Sequence, residues 1–167
     1  HDAVQDGLDR DVEQLRAGVH DKDAWEQEYE LAFLDGATAW LSFELIAGCE
    51  HADAGSPARY AGGPVFIGND IAARNDFWVA WVLEQVGDVL WTREISALRR
   101  ATFREQDAEL DRLVARYNMV RLVMDQTGMG EKPVEDAKHR YGALRVEGVL
   151  FSAATKLGLA TEARQAF

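Results

Sequence analysis

Apolar positions change their period near the middle of the chain. In the first part they recur as in helices. Trp25, Tyr29, Ala32 and Phe33 repeat at i, i+4, i+7 and i+8, one face of a helix. Asp23 and Glu26 form a capping box at its start, and Asp35-Gly36 breaks it. Leu8, Val12 and Leu15 carry a weaker helical spacing in an otherwise polar leader. Ser42 caps a short helix predicted through Cys49. From Glu50 to Gly63 the chain is rich in Ala, Gly, Ser, Pro and Asp, which reads as a linker. A domain boundary is therefore placed between residues 1–63 and 64–167.

After Pro64 the pattern becomes that of strands alternating with helices. Val65-Phe66-Ile67-Gly68 is a short apolar run ending at Asn69-Asp70. Phe77 to Leu83 is a continuous apolar run, the pattern of a strand buried on both faces. On that reading Trp78 and Trp81 are both core residues. Gly87-Asp88 is a hairpin signal, and Val89 to Glu94 alternates as a third, partly exposed strand. Thr102 and Glu105 form a second capping box, and Phe103, Leu110, Leu113, Val114 and Tyr117 share the face of the helix that follows. A strand over Val120–Asp125, a helix over Pro133–Tyr141 stopped by Gly142, a strand over Arg145–Phe151 and a helix opened by Ser152 complete the chain.

The order β-β-β-α-β-α-β-α predicts a mixed α/β sheet. Hairpins make the first three strands antiparallel, and right-handed crossovers carry the last two to the other side of the first. The strand order is then 3-2-1-4-5, with the first and fourth strands parallel neighbours. Both end in a carboxylate, Asp70 and Asp125. A strand spacing of about 4.8 Å puts the two within reach of one divalent ion. Open α/β sheets place their chemistry at such C-terminal strand ends.

Composition narrows the classes. The formal charge is −11, from 29 acidic against 18 basic residues. Non-specific nucleic-acid binding needs Lys and Arg on phosphates, so any nucleic-acid reading has to answer this charge. The single Cys49 rules out an internal disulfide and is compatible with a reducing compartment. No apolar run approaches the roughly 20 residues of a membrane span. The chain begins at His1 and stops at Phe167 inside a helical pattern, so a fragment of a longer protein is expected.

Asp70 and Asp125 are hard oxygen donors with no His or Cys nearby in sequence, a set that suits Mg²⁺ or Mn²⁺ rather than Zn²⁺. Two such ions about 4 Å apart can activate water and stabilise a leaving oxygen in phosphodiester cleavage. The plainer reading makes each Asp an ordinary loop or cap residue. Gly128-Met129-Gly130-Glu131-Lys132 invites a nucleotide reading but lacks the G-x-x-x-x-G-K-[ST] spacing. Its glycines are better read as a sharp strand-to-helix turn. Asp76 is a possible supporting acid, or a solvated loop residue. His139, Arg140 and Lys156 read as exposed, and the acidic stretch 105–111 as a solvated helix face.

The run from Met124 through Asp125-Gln-Thr-Gly-Met-Gly-Glu-Lys-Pro-Val-Glu-Asp136 to Ala137, with Tyr141-Gly142 and Val146-Glu-Gly-Val-Leu-Phe151, resembles the large terminase subunit of Mu-like phages and prophages. Trp25 to Glu30 and Phe33 to Leu41 resemble the end of that protein's ATPase part, and Phe66-Ile-Gly-Asn-Asp70 is a looser match. The resemblance implies a DNA-packaging motor with an ATPase and an RNase H-like nuclease. Residues 1–63 would be the ATPase remnant plus linker, and 64–167 a nuclease domain truncated at its C-terminus. Asp70 and Asp125 would hold Mg²⁺ or Mn²⁺ for endonucleolytic cleavage. Double-stranded viral DNA, a portal and a small terminase subunit are the implied partners, in an oligomeric motor in the host cytoplasm with no membrane.

Two departures stand out. The family's first-strand motif reads Gly-x-Asp followed by Gly, whereas Asn69-Asp70 here precedes Ile71-Ala72. The family's third acid lies further along, so a fragment with two of three ligands, weak or inactive on its own, is expected. Two other readings remain open: an actin-like or sugar-kinase-like ATP-binding half, and a non-catalytic assembly domain.

Overall fold

A computed structural model describes residues 41–72 and 76–166. The expected helix over Trp25–Phe33 and the spacing at Leu8–Leu15 lie outside the described residues. The chain forms two units, one up to Cys49 and one from Glu50 to Ala166. In the first, helix α1 (Phe43–Gly48) is capped by Ser42, whose hydroxyl accepts the Leu45 N–H. This matches the sequence reading.

The second unit contains β1 (Val65–Asp70), β2 (Phe77–Val86), β3 (Val89–Arg99), α2 (Phe103–Arg116), β4 (Met119–Asp125), α3 (Glu131–Tyr141), β5 (Val146–Val149) and α4 (Ala153–Gln165). The five strands lie in the order β3-β2-β1-β4-β5. β1 is antiparallel to β2 and parallel to β4, and β5 is parallel to β4. This is the mixed sheet that the element order predicts.

Side chains alternate across the sheet, and one face carries the core. Val65 and Ile67 of β1, Trp78, Ala80 and Val82 of β2, Leu122 and Met124 of β4 and Val146 of β5 are buried on that face. Leu110 and Leu113 of α2 and Val134 and Ala137 of α3 join the same cluster. Arg140 of α3 ties the two helices together by pairing with Asp107 and Asp111 of α2, and the Tyr141 hydroxyl also donates to Asp111. The acidic face of α2 is therefore not merely solvated, and Arg140 is not a free surface residue. Met119 and Arg145 are joined by an Arg145 guanidinium donating to the Met119 carbonyl.

Among the described residues, the opposite face of the sheet is largely uncovered. Trp81 is 47% exposed, and Phe77 and Ile95 are also exposed. The expectation of a second strand buried on both faces thus fails for β2, because both described helices that pack on the core stand on one side. An unbroken apolar run does not reveal how many faces a neighbour covers. Two further expectations shift. Phe103 is exposed, and Gln106 takes the buried place, donating from Nε2 to the carbonyls of Ala72 and Ala101. β3 runs on to Arg99 rather than stopping near Glu94, and β5 ends at Val149 rather than Phe151.

The segment read as a linker is fastened to the sheet. Glu84 of β2 is fully buried and accepts the N–H groups of Ala61 and Gly63, while Arg93 of β3 donates to it at 2.6 Å. Burial alone would raise the Glu84 carboxyl, but Arg93 and these two N–H groups outweigh it and hold it below the usual range. Tyr60 packs against the core and accepts the Asn118 N–H, and Gly55 N–H donates to Thr92. Small, turn-forming residues here make close backbone approaches rather than slack chain.

Candidate active site

The site grows from the C-terminal ends of β1 and β4. Asn69 pairs with Met124 in the parallel ladder, so one step on, Asp70 and Asp125 lie side by side. Residues alternate between faces, and Gly68, Asp70, Val123 and Asp125 belong to the open face. The buried residues Ile67, Asn69, Leu122 and Met124 hold both strand ends from behind. Asn69 adds a fixed point, donating from Nδ2 to the Val79 carbonyl at 2.9 Å.

Asp125 is set by the turn that follows it. Its Oδ1 accepts the Thr127 N–H at 2.7 Å, a local turn that Asp favours. Thr127 Oγ1 then accepts the Phe151 N–H at 3.0 Å, and Gln126 N–H donates to the Val149 carbonyl at 2.8 Å. The Asp-Gln-Thr turn is thereby sewn to the end of β5. Gly128 has φ +62, and Gly130 sits so close to Asp125 that any Cβ there would lie 2.1 Å from the Asp125 carbonyl oxygen. Helix α3 starts at once, two residues before the expected Pro133.

Electrostatically the strand ends are crowded with negative charge. The Asp70 carboxyl is raised above the usual aspartate range, first by partial burial and then by Asp125 and Asp76. Asp76 itself is exposed and accepts the Phe77 N–H, so it acts on Asp70 through its field. Like charges held together without a cation are unfavourable, and a divalent ion relieves them. Among the described residues, no third His, Cys, Asp or Glu completes a ligand group with them. A cavity of ≈ 270 Å³ beside the acids is lined by Gly68, Val79, Trp81, Val123 and Phe151. Trp81 is fixed there by its Nε1–H donating to Thr92 Oγ1 at 2.9 Å. The sequence reading assigned Trp81 to the core and gave Thr127 no role. Strand alternation with Gly68 as its cross-strand partner was the available signal for Trp81. His139 and Lys156 are exposed on α3 and α4, outside this cavity lining.

A five-stranded 3-2-1-4-5 sheet with two carboxylates on adjacent parallel strand ends defines an RNase H-like α/β domain. Residues 67–167 match the family model described as "Terminase RNaseH-like domain", and the chain belongs to that family. No curated protein matches the chain. Among solved structures it is similar to the large terminase nuclease from thermophilic phage G20c with bound magnesium, at TM-score 0.53 and 20% identity over 64% of this chain and 55% of that one. The same nuclease with bound cobalt aligns at TM-score 0.50 and 22% identity, over 60% of this chain and 52% of that one. The large terminase from thermophilic bacteriophage D6E in complex with ATP-gamma-S aligns at TM-score 0.52 and 8% identity, over 69% of this chain and 30% of that one. The chain thus spans about half the length of the G20c nuclease.

Proposed function

We propose that this chain is the nuclease part of a phage or prophage large terminase, of the Mu-like kind, and that its parent activity is metal-dependent endonucleolytic cleavage of double-stranded viral DNA during packaging. The observation that carries the reading is the adjacency of Asp70 and Asp125 on parallel strand ends, on the open face of a sheet of the terminase RNase H-like family. Asp70 and Asp125 are the residues that hold Mg²⁺ or Mn²⁺. Their oxygen-only donor set, and the charge crowding that lifts Asp70, fit such an ion. When bound, the ion stabilises the negative charge that develops on the phosphate during hydrolysis. The chain's own part is positional: the Thr127 N–H holds one oxygen of Asp125 and leaves the other for the ion.

Residues ahead of the sheet unit are read as the tail of the motor's ATPase part. Portal, small terminase subunit and other copies of the large subunit are the partners of the assembled motor in the host cytoplasm. No helix among the described residues is long and apolar enough to cross a membrane.

Mn²⁺ titration followed by electron paramagnetic resonance tests the site, alongside plasmid nicking by this chain and by a version extended at its C-terminus. Mn²⁺ binding should be lost in Asp70→Asn and Asp125→Asn, and nicking should be strongest in the extended version and abolished by Asp125→Asn. Equal binding and nicking by the Asn variants would sink the assignment. ATP binding without nicking would favour an actin-like half instead, and absence of both would favour an assembly domain.

A further inference from the structure

The acidic chain neutralises many of its cations. Arg59, Arg93, Arg112, Arg121, Lys132 and Arg140 each pair with a carboxylate. The end of β3 and the start of α2 depart from this pattern. From Ile95 to Arg104 there is no Asp or Glu, and Arg99, Arg100 and Arg104 fall within that stretch. All three are exposed, and among the described residues none pairs with a carboxylate. Arg99 lies over the ring of Phe77, and both Phe77 and Phe103 expose about half their surface. Arg104 stands in the first turn of α2, where the helix dipole disfavours a cation. Local stability therefore gives no reason for an arginine there.

The register places Arg99 at the end of the sheet that carries Asp70 and Asp125, with Arg100 next in the chain and α2 starting four residues after Arg99. Asp70 pairs with Val79 and Val79 with Ala97, while Phe77, two residues beyond Val79, pairs with Arg99. Arg99 is two residues past Ala97 and so shares the open face with Asp70. Two strand spacings across and two residues along put their backbones about 12 Å apart. At about 3.4 Å of axis per base pair, that is three to four pairs along a duplex.

We propose that Arg99, at the rim of the open face, together with Arg100 and with Arg104 at the start of α2, forms a phosphate-binding patch at this end of the sheet that holds a DNA duplex aimed at Asp70 and Asp125. The choice of DNA as ligand rests on the nuclease reading. The patch also answers the charge objection, because steering depends on where positive charge is gathered rather than on the net sum.

The test is fluorescence anisotropy of a labelled 30-base-pair duplex with the whole chain in EDTA, across a range of salt. The Arg99→Gln, Arg100→Gln, Arg104→Gln triple variant should bind at least tenfold more weakly. Its slope of log K against log salt should be shallower by about 2–3, since each lost phosphate contact removes about 0.9. The corresponding triple Lys variant should keep most of the affinity. A control removing the same charge elsewhere (Arg59→Gln, Lys132→Gln, Lys138→Gln) should lose far less. No binding by the parent chain, or equal loss in patch and control variants, overturns the proposal. Because no metal is present, the outcome is separable from the nuclease reading. Failure of Mn²⁺ binding with the patch result intact sinks the metal site alone, and the reverse pattern sinks the patch alone.

Discussion

Replacing Gly130 with alanine should disable the site from behind. Gly130 has φ −74 and ψ −12, an ordinary helical conformation, so alanine there meets no backbone penalty. The obstacle is steric. The new Cβ would lie 2.1 Å from the Asp125 carbonyl oxygen and 3.0 Å from its carbon, where real Cβ contacts below 3.0 Å are essentially unknown. Restoring even that minimum requires a relative movement of about 0.9 Å, in a close-packed setting where the neighbours resist it. The Asp125 backbone either shifts, taking its carboxylate with it, or the start of α3 is pushed off the sheet. Overpacking of this kind costs about 1–3 kcal/mol. A misplacement near 1 Å at a reacting centre lowers rate about 100-fold. Gly128→Ala is the internal control: φ is +62 but nothing lies within 4 Å of its Cβ, so only left-handed strain of about 1–2 kcal/mol is expected. Calorimetric melting, Mn²⁺ titration and nicking should therefore separate the two, with Gly128→Ala losing stability and Gly130→Ala losing both stability and metal affinity. Wild-type Mn²⁺ affinity and nicking in Gly130→Ala would refute the reasoning.

Other outcomes follow from the same geometry. Glu84→Gln should destabilise the sheet unit by about 3–5 kcal/mol, since it strands Arg93 in the interior, and denaturant melts will read it. Because the folded Glu84 carboxyl is held low, its contribution is present above the ordinary glutamate range and lost as pH falls through the folded value; the variant's acid limb should be correspondingly flatter. Trp78→Ala should cost about 3–5 kcal/mol, whereas Trp81→Ala, on the open face, should cost far less, and equal losses would contradict the one-faced core. Asp70→Asn should raise the melting temperature without divalent ions by removing a partly buried charge and, with it, the repulsion from Asp125 and Asp76, and should abolish any further rise on adding Mn²⁺.

Element type and order were legible wherever the chemistry was local. The Thr102–Glu105 capping box, the Ser42 and Ser152 caps and the Gly87-Asp88 turn all form as the residues predict. The adjacency of Asp70 and Asp125 was legible one level up, through crossover handedness and strand counting. The role of Glu50–Gly63 was not, because what fastens it, Glu84 and Arg93, lies more than twenty residues away.

By itself, then, the sequence determined the elements, their order around the sheet, and which strand ends carry acids, since these depend on period, turn chemistry and chirality within short spans. Only the tertiary structure decided which face of β2 is covered, that Trp81 borders the acids while Trp78 is core, and that Arg99, Arg100 and Arg104 are exposed without a carboxylate partner among the described residues. Burial and ion pairing are properties of neighbours brought from far along the chain. The Asp125-Gln-Thr-Gly-Met-Gly turn shows both levels: its glycines announce a sharp turn, but only the fold shows that Gly130 is small because the Asp125 carbonyl lies against it.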